Sequence, residues 1–470
     1  MEEEFGLSRV DLVIKGGTIV RSDAVFKGNI AVKDGVIVAI TDEAFVPASE
    51  ECIDATGQYV MTGVIEPHLH LRDPSKNERE DFTSGTMACA AGGITTIVEH
   101  PVSTPSVHSA TTLRNRIEAV QHKSLIDFGF YGGAGYDNLD LMLEMAEAGI
   151  MGFKTFLPAS PPGREQEFIG LNAKDDGFLY QILEIAAKTD LPALFHLEDN
   201  TLLQLFEGRV RAQGRKDPMA HIDSRPEIAE IVATAKLLAM AQDTGAKVQL
   251  VHMSTDRGLE LAKFYRKQGV SISIESCPQY LLLSKEDMEA AGPFAKMNPP
   301  LRSKETQRKL WNYVHDGTID MIVTDHSPFL VSEKEIGYED IFKAPPGHPG
   351  LETLLPLMLN EVANGRLTWQ QLSSLLAENV ARIYRMDQKG RIDIGKDADF
   401  VLIDMKQEWK VDVSQMYTRS KGTFKLFDGW NIKGKPVKTI LRGKVIMENG
   451  EVIGKPGEGR FIRPTPKNHA

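Results

Sequence analysis

The chain has 470 residues, 42% hydrophobic and 25% charged, an ordinary globular balance with room for one large domain and a smaller one. Its formal net charge of −11 argues against nucleic acid or an acidic membrane as partner, and no apolar run reaches bilayer-spanning length. Cys52, Cys89 and Cys277 stand far apart with no Cys-x-x-Cys spacing, and the start MEEEFGLSRV shows no basic-then-apolar leader, so a reduced cytoplasm is expected.

In chain order, residues 1–60 read as short strands punctuated by Gly and Asp-Gly: VDLVIKGGTIV, GNIAVKDGVIVAI, CIDATGQYVMTG. They predict a small antiparallel sheet. Residues 388–470 repeat the pattern in RIDIGKDADFVLIDM and VKTILRGKVIMENGEVIG. Either end alone is a short sheet of marginal stability, so the expectation is one small β-sandwich formed by both.

Residues 61–387 change character. Eight apolar runs recur: GVIEPHLHL, GITTIVEH, IDFGFYGG, GIMGFKTFL, PALFHLE, KVQLVHMS, SISIESCPQYL and DMIVTDHSP. Stretches with 3.6-residue apolar spacing, such as DNLDLMLEMAEAG, YQILEIAAKT and PEIAEIVATAKLLAMAQDTG, lie between them. Eight β-then-α units predict an α/β fold of the (β/α)8 TIM-barrel type, closed by helices over TLLPLMLNEVANG and TWQQLSSLLAENVARIYRM.

In such a barrel the reactive groups gather at the C-terminal ends of the strands. Strand one ends in His68-Leu69-His70, where residues two apart share a face and both imidazoles can grip one metal. Strand four ends in Lys154, strand five in His196, strand six in His252 and strand eight in Asp325. One buried histidine on a strand is ordinary; metal-competent groups at several strand ends of one barrel point to a metal centre. His108, His122, His221, His315 and His469 fall in predicted helices, loops or the tail. His100 ends strand two, where it could line the pocket, and His326 points away from Asp325 into a structural or ligand-supporting role.

Lys154 is the odd member, because an ammonium does not bind a metal cation. Two readings stand. Burial can depress its pKa so that the free amine adds CO2 and becomes a carbamate bridging two metals, or it can pair with Glu198 or Asp325.

HLH, GFK, the histidines of FHLED and VHMS, ESCPQYL, NPPLR and TDHSP together resemble the metal-dependent cyclic amidohydrolases: hydantoinase, dihydropyrimidinase, allantoinase and dihydroorotase. The resemblance covers nearly the whole chain, GKDADFVLID included. It implies two divalent metals, usually zinc, with His68, His70 and Asp325 on one, His196 and His252 on the other, and an N6-carboxylated Lys154 and a hydroxide between them. It implies a homotetramer acting on a small cyclic amide, with Asp325 moving the proton from the attacking hydroxide to the leaving ring nitrogen.

The branch is read from a few positions. DFGFYGG, GFKTFLPAS, ESCPQYL and the C-terminal sheet resemble the hydantoinase–allantoinase branch and imply opening of a hydantoin-type ring. The oxyanion-serving Tyr of dihydropyrimidinases and D-selective hydantoinases is replaced by Ala159. Arg72 in HLHLRDP and Asn298 in KMNPPLR, both expected to touch substrate, and the segment APPGHPGLE resemble dihydroorotase. Against that, Val102 replaces the Asn of Met-Pro-Asn-Thr, and Phe329 replaces the last His of Asp-His-Ala-Pro-His. A plainer role for Arg72 is a loop ion pair with Asp73, Glu78 or Glu80. Dihydroorotase is the alternative activity, and a non-catalytic scaffold or a hydrolase of exocyclic amides or phosphoesters are the readings outside it.

Overall fold

The computed structural model describes residues 9–466; the acidic start and His469 lie outside the described residues. No helix among the described residues is long and apolar enough to cross a membrane.

Five strands open the chain: β1 (Val10–Val20), β2 (Val25–Lys33), β3 (Val36–Thr41), β4 (Ser49–Asp54) and β5 (Tyr59–Thr62). β1 and β2 form the expected antiparallel pair, but β4 and β5 both run parallel to β1, so this end is a mixed rather than an antiparallel sheet. Four strands close the chain: β15 (Phe400–Lys410), β16 (Asn431–Leu441), β17 (Lys444–Glu448) and β18 (Glu451–Val452). β15 pairs antiparallel with β5, which joins the two ends into one nine-stranded sheet. It encloses its own core, in which Leu12, Ile19, Ile30, Val60, Phe400 and Ile440 meet.

Between these ends lie β6 (Val64–Leu69), β7 (Ile94–Glu99), β8 (Asp127–Phe130), β9 (Gly132–Gly133), β10 (Phe153–Phe156), β11 (Ala193–His196), β12 (Val248–Leu250), β13 (Ile272–Ser276) and β14 (Met321–Ile322). β6 to β8 form one parallel arc and β9 to β14 another. β8 and β9 are one bent strand: Tyr131 N donates to Glu99 O at 3.0 Å on one side and Gly132 N to Gly152 O at 3.0 Å on the other. The second seam closes through the Leu69–His326 bridge and His70 N to His326 O at 2.8 Å. The result is the eight-stranded parallel barrel that the repeated β-then-α pattern predicts.

Strand interiors are buried on both faces, as a barrel strand covered by helices requires. The return helices follow their sequence signals. Asp81 and Ser84 make a capping box at the start of Phe82–Ala91, and Gly245, at φ 72°, ends Glu227–Thr244. The run SISIESCPQYL divides at Cys277, because Pro278 at the first helical position begins the short helix Pro278–Leu282. Leu354–Ala363 and the stretch from Trp369 to Ile383 are the closing helices.

The sandwich is pinned to the barrel by charge. Lys389 Nζ contacts Asp127 on β8 at 2.5 Å, Asp397 at 2.8 Å and Asp399 at 2.7 Å, and Arg442 closes on Asp127 from β16's end. The three aspartates also have the spacing of a cation site, but the lysine ammonium fills it. Gly63 sits at the same joint, where a Cβ would meet Thr95 Oγ1 at 2.1 Å.

Candidate metal centre and active site

The strand ends deliver their side chains to one cleft at the C-terminal mouth of the barrel. His68, His70, Lys154, His196, His252 and Asp325 all line it, and it encloses ≈ 730 Å³ counting its open mouth. His68 Nε2 and His70 Nε2 lie 3.3 and 3.5 Å from Asp325 Oδ1, so these three donors face a common point. His196 and His252 meet edge to face at 4.7 Å between ring centroids, and His252 lies 5.4 Å from His68.

The imidazoles are oriented from behind by carboxylates. His68 Nδ1 contacts Glu275 Oε2 at 2.6 Å, which leaves Nε2 for the cleft. His196 Nε2 contacts Glu198 Oε2 at 2.8 Å, which leaves Nδ1. Gln249 in turn donates to Glu275, and Arg225 to Glu198. Glu66 accepts from His68 N at 2.7 Å and Thr324 N at 2.8 Å, tying strand one to the loop that carries Asp325. Burial lowers the pKa of His196 and His252 and holds His70 at about 3, so these rings are neutral, the form that binds metal. Burial would raise Asp325, but the facing His68, His70 and His252 outweigh it and keep the carboxyl ionised far below its ordinary value.

Lys154 Nζ is fully buried and has no hydrogen-bond partner among the described residues; Glu198 and Asp325, the two acids that could have paired with it, do not. It lies 4.8 Å above the Phe156 ring. Burial pulls its pKa down to about 8, with Glu275 and Asp325 opposing only in part.

His100 does not line the cleft. It is stacked behind His68 at 3.9 Å and tilted against Tyr131 at 4.8 Å. His326 is buried, its Nδ1 accepting from Gly350 N at 3.2 Å. Arg72 and Asn298 do line the cleft. Arg72 pairs with none of Asp73, Glu78 or Glu80; its Nη1 contacts Glu167 Oε2 at 3.0 Å and its Nη2 donates to Ser327 Oγ at 2.9 Å. The side-chain amide of Asn298 is oriented with its oxygen accepting from Arg225 Nη2 at 3.3 Å. Val102, Phe156, Ala159 and Phe168 complete an apolar arc of wall.

Three residues that face the cleft have left-handed backbone: Arg72 at φ 64°, His252 at 41° and Asp325 at 50°. Such positions cost about 1–3 kcal/mol each in non-glycine residues and cluster where geometry serves chemistry.

The sequence reading assigned no role to Glu275, Glu66, Glu167 or Arg225. Glu198 had a visible signal, two residues past His196, and Glu275 another, an acid at the end of the apolar run SISIES. Glu167 had none: it comes from the 3-10 turn Glu165–Phe168, 95 positions from its partner.

The chain resembles known proteins along nearly its whole length. A model described as "Amidohydrolase family" matches residues 59–446. An L-hydantoinase of Paenarthrobacter aurescens is 35% identical over 455 residues, covering 96% of this chain and 98% of that protein. An allantoinase of Rubrobacter xylanophilus is 36% identical over 461 residues, 97% of this chain and 98% of that one. The solved L-hydantoinase (dihydropyrimidinase) from Arthrobacter aurescens superposes with a TM-score of 0.92 over 97% of this chain and 100% of its own, at 35% identity.

Proposed function

The chain belongs to the amidohydrolase family, and from that premise we propose that it opens a hydantoin-type ring, allantoin or a 5-substituted hydantoin, by hydrolysis at a two-metal centre. The observation that carries this reading is the convergence of four imidazoles and Asp325 around a buried lysine with no hydrogen-bond partner among the described residues. The donors fit two divalent cations, zinc by preference for imidazole and carboxylate. His68, His70 and Asp325 would hold one and His196 and His252 the other. The amine of Lys154, not locked in an ion pair, would add CO2 and release a proton, and the resulting carbamate would help hold the ions.

Two such ions supply water activated at neutral pH and polarise the carbonyl under attack. The remaining work falls to the chain. Asp325, held ionised, accepts the water's proton and returns it to the ring nitrogen as the C–N bond breaks. Glu275 and Glu198 hold two of the imidazoles in one tautomer. Arg225 and Asn298 line the wall where the ring's polar edge would lie. The apolar Val102 and Phe329 leave a dihydroorotate ring short of polar contacts, which favours the hydantoin branch. The reading extends to a cytoplasmic homotetramer: the three cysteines are free, and Val331, Ile336 and Tyr338 are exposed apolar side chains available to self-association.

A panel of allantoin, 5-substituted hydantoins, dihydrouracil and dihydroorotate with zinc-loaded protein tests the reaction. Turnover is expected on the hydantoin-type rings. Efficient turnover of dihydroorotate alone would overturn the branch, and turnover of none would overturn the reaction.

A further inference from the structure

Glu167 is buried, 5% exposed, behind the cleft wall. Two guanidiniums from the wall converge on it. Arg164 makes a forked pair, Nε to Oε1 at 3.1 Å and Nη2 to Oε2 at 2.6 Å, and Arg72 Nη1 reaches Oε2 at 3.0 Å. Both arginines also face the ring of Phe329, at 5.7 and 5.2 Å from its centroid. Burial would raise the Glu167 carboxyl, but the Arg164 hydrogen bonds and the charges of Arg72 and Arg164 hold it at about 2, so it is ionised throughout the working range.

Without Glu167, two adjacent guanidiniums on the wall of a ligand cleft would form a receptor for a carboxylate. With it, Arg72 has Nη1 committed to Glu167 and Nη2 to Ser327, and the Arg164 fork is filled. The neighbouring wall, Val102, Phe156 and Phe168, is apolar. We propose that Glu167 is a specificity-determining residue: it occupies the arginine pair with a carboxylate of the protein's own, so that the cleft accepts rings bearing an uncharged substituent and discriminates against those bearing a carboxylate. The inference rests on the proposed reaction and names the substituent class within it.

The test is a matched pair of substrates, 5-(2-carboxyethyl)hydantoin and its amide, 5-(2-carbamoylethyl)hydantoin, compared by the ratio of their kcat/KM values. The parent should prefer the amide. Glu167→Gln should move the ratio toward the acid by about tenfold or more, the scale of a desolvated charge gaining a partner, while Glu167→Asp keeps the parent ratio. Arg164→Gln should move it the other way, and decides the matter if Glu167→Gln does not fold. Ratios unchanged in variants that still open the amide would overturn the proposal. A parent that opens neither ring would overturn the reaction, and the inference with it.

Discussion

Lys154 and Lys389 are the same side chain, both buried, in opposite settings. Lys389 sits among Asp127, Asp397 and Asp399, and despite the cost of burial their charges raise its pKa above the ordinary 10.5. Among the described residues Lys154 has no carboxylate within bonding distance, and burial lowers it to about 8. A buried lysine whose charge is satisfied is a rivet; one whose charge is left unsatisfied is a reagent. The difference lies in what the neighbouring strands present, three aspartates at the joint and four imidazoles at the mouth.

The largest expected effect removes the reagent. Lys154→Ala should lose metal and activity together, with partial recovery in acetate, which can supply bridging oxygens, and none from bicarbonate. Metal analysis and turnover on the same preparation read both. Full metal content in that variant would show that the lysine does not bridge.

Removing the rivet should act on stability instead. Lys389→Met strips the ammonium from the buried Asp127 and Asp399 and the half-buried Asp397, a loss of about 3–5 kcal/mol by the usual cost of removing one partner from a buried ion pair. Thermal unfolding should show it, while metal per folded chain stays at the parent value. An unchanged melting temperature would mean that the aspartates are solvated or protonated and that the joint holds by packing.

The smallest effect is in the pH dependence of the metal-free protein. Folded Lys154 gives up its proton at about 8, whereas an unfolded lysine keeps it to 10.5, so the unfolded chain binds more protons between these values and stability rises with pH there. Lys389 has the opposite sign: its contribution is complete below 10.5 and is lost as pH climbs past it. Urea midpoints measured from pH 8 to 10 should therefore climb more steeply in the parent than in Lys154→Met. Parallel slopes in the two proteins would contradict the low pKa.

The sequence shows one of these lysines far better than the other, and the reason is periodicity. A strand end is a local feature: apolar alternation announces the strand, and the residue that closes it is read directly, which is how His68, His196, His252, Lys154 and Asp325 are found. Charge pairing is not local. Lys389 meets Asp127 across 262 positions and Arg72 meets Glu167 across 95, through loops with no period to follow. Arg72 therefore suggests pairing with its sequence neighbours, all of which the structure rejects. His100 fails differently: a strand-ending histidine looks like a lining residue, but its ring is stacked beneath that of His68. The parallel pairing of β1 with β4 and β5 is likewise invisible in turns that each look like hairpin punctuation.

The left-handed backbone at His252 and Asp325 bears on how this protein would respond to selection in the laboratory. Glycine tolerates that conformation without cost and asparagine with little. A library of the metal-free protein screened for thermal tolerance alone would thus enrich Gly and Asn at these two positions, collecting robust variants that have lost a donor to the cleft. A screen for durable catalysts from this chain has to read turnover at each round, because at these residues heat resistance and chemistry select opposite amino acids.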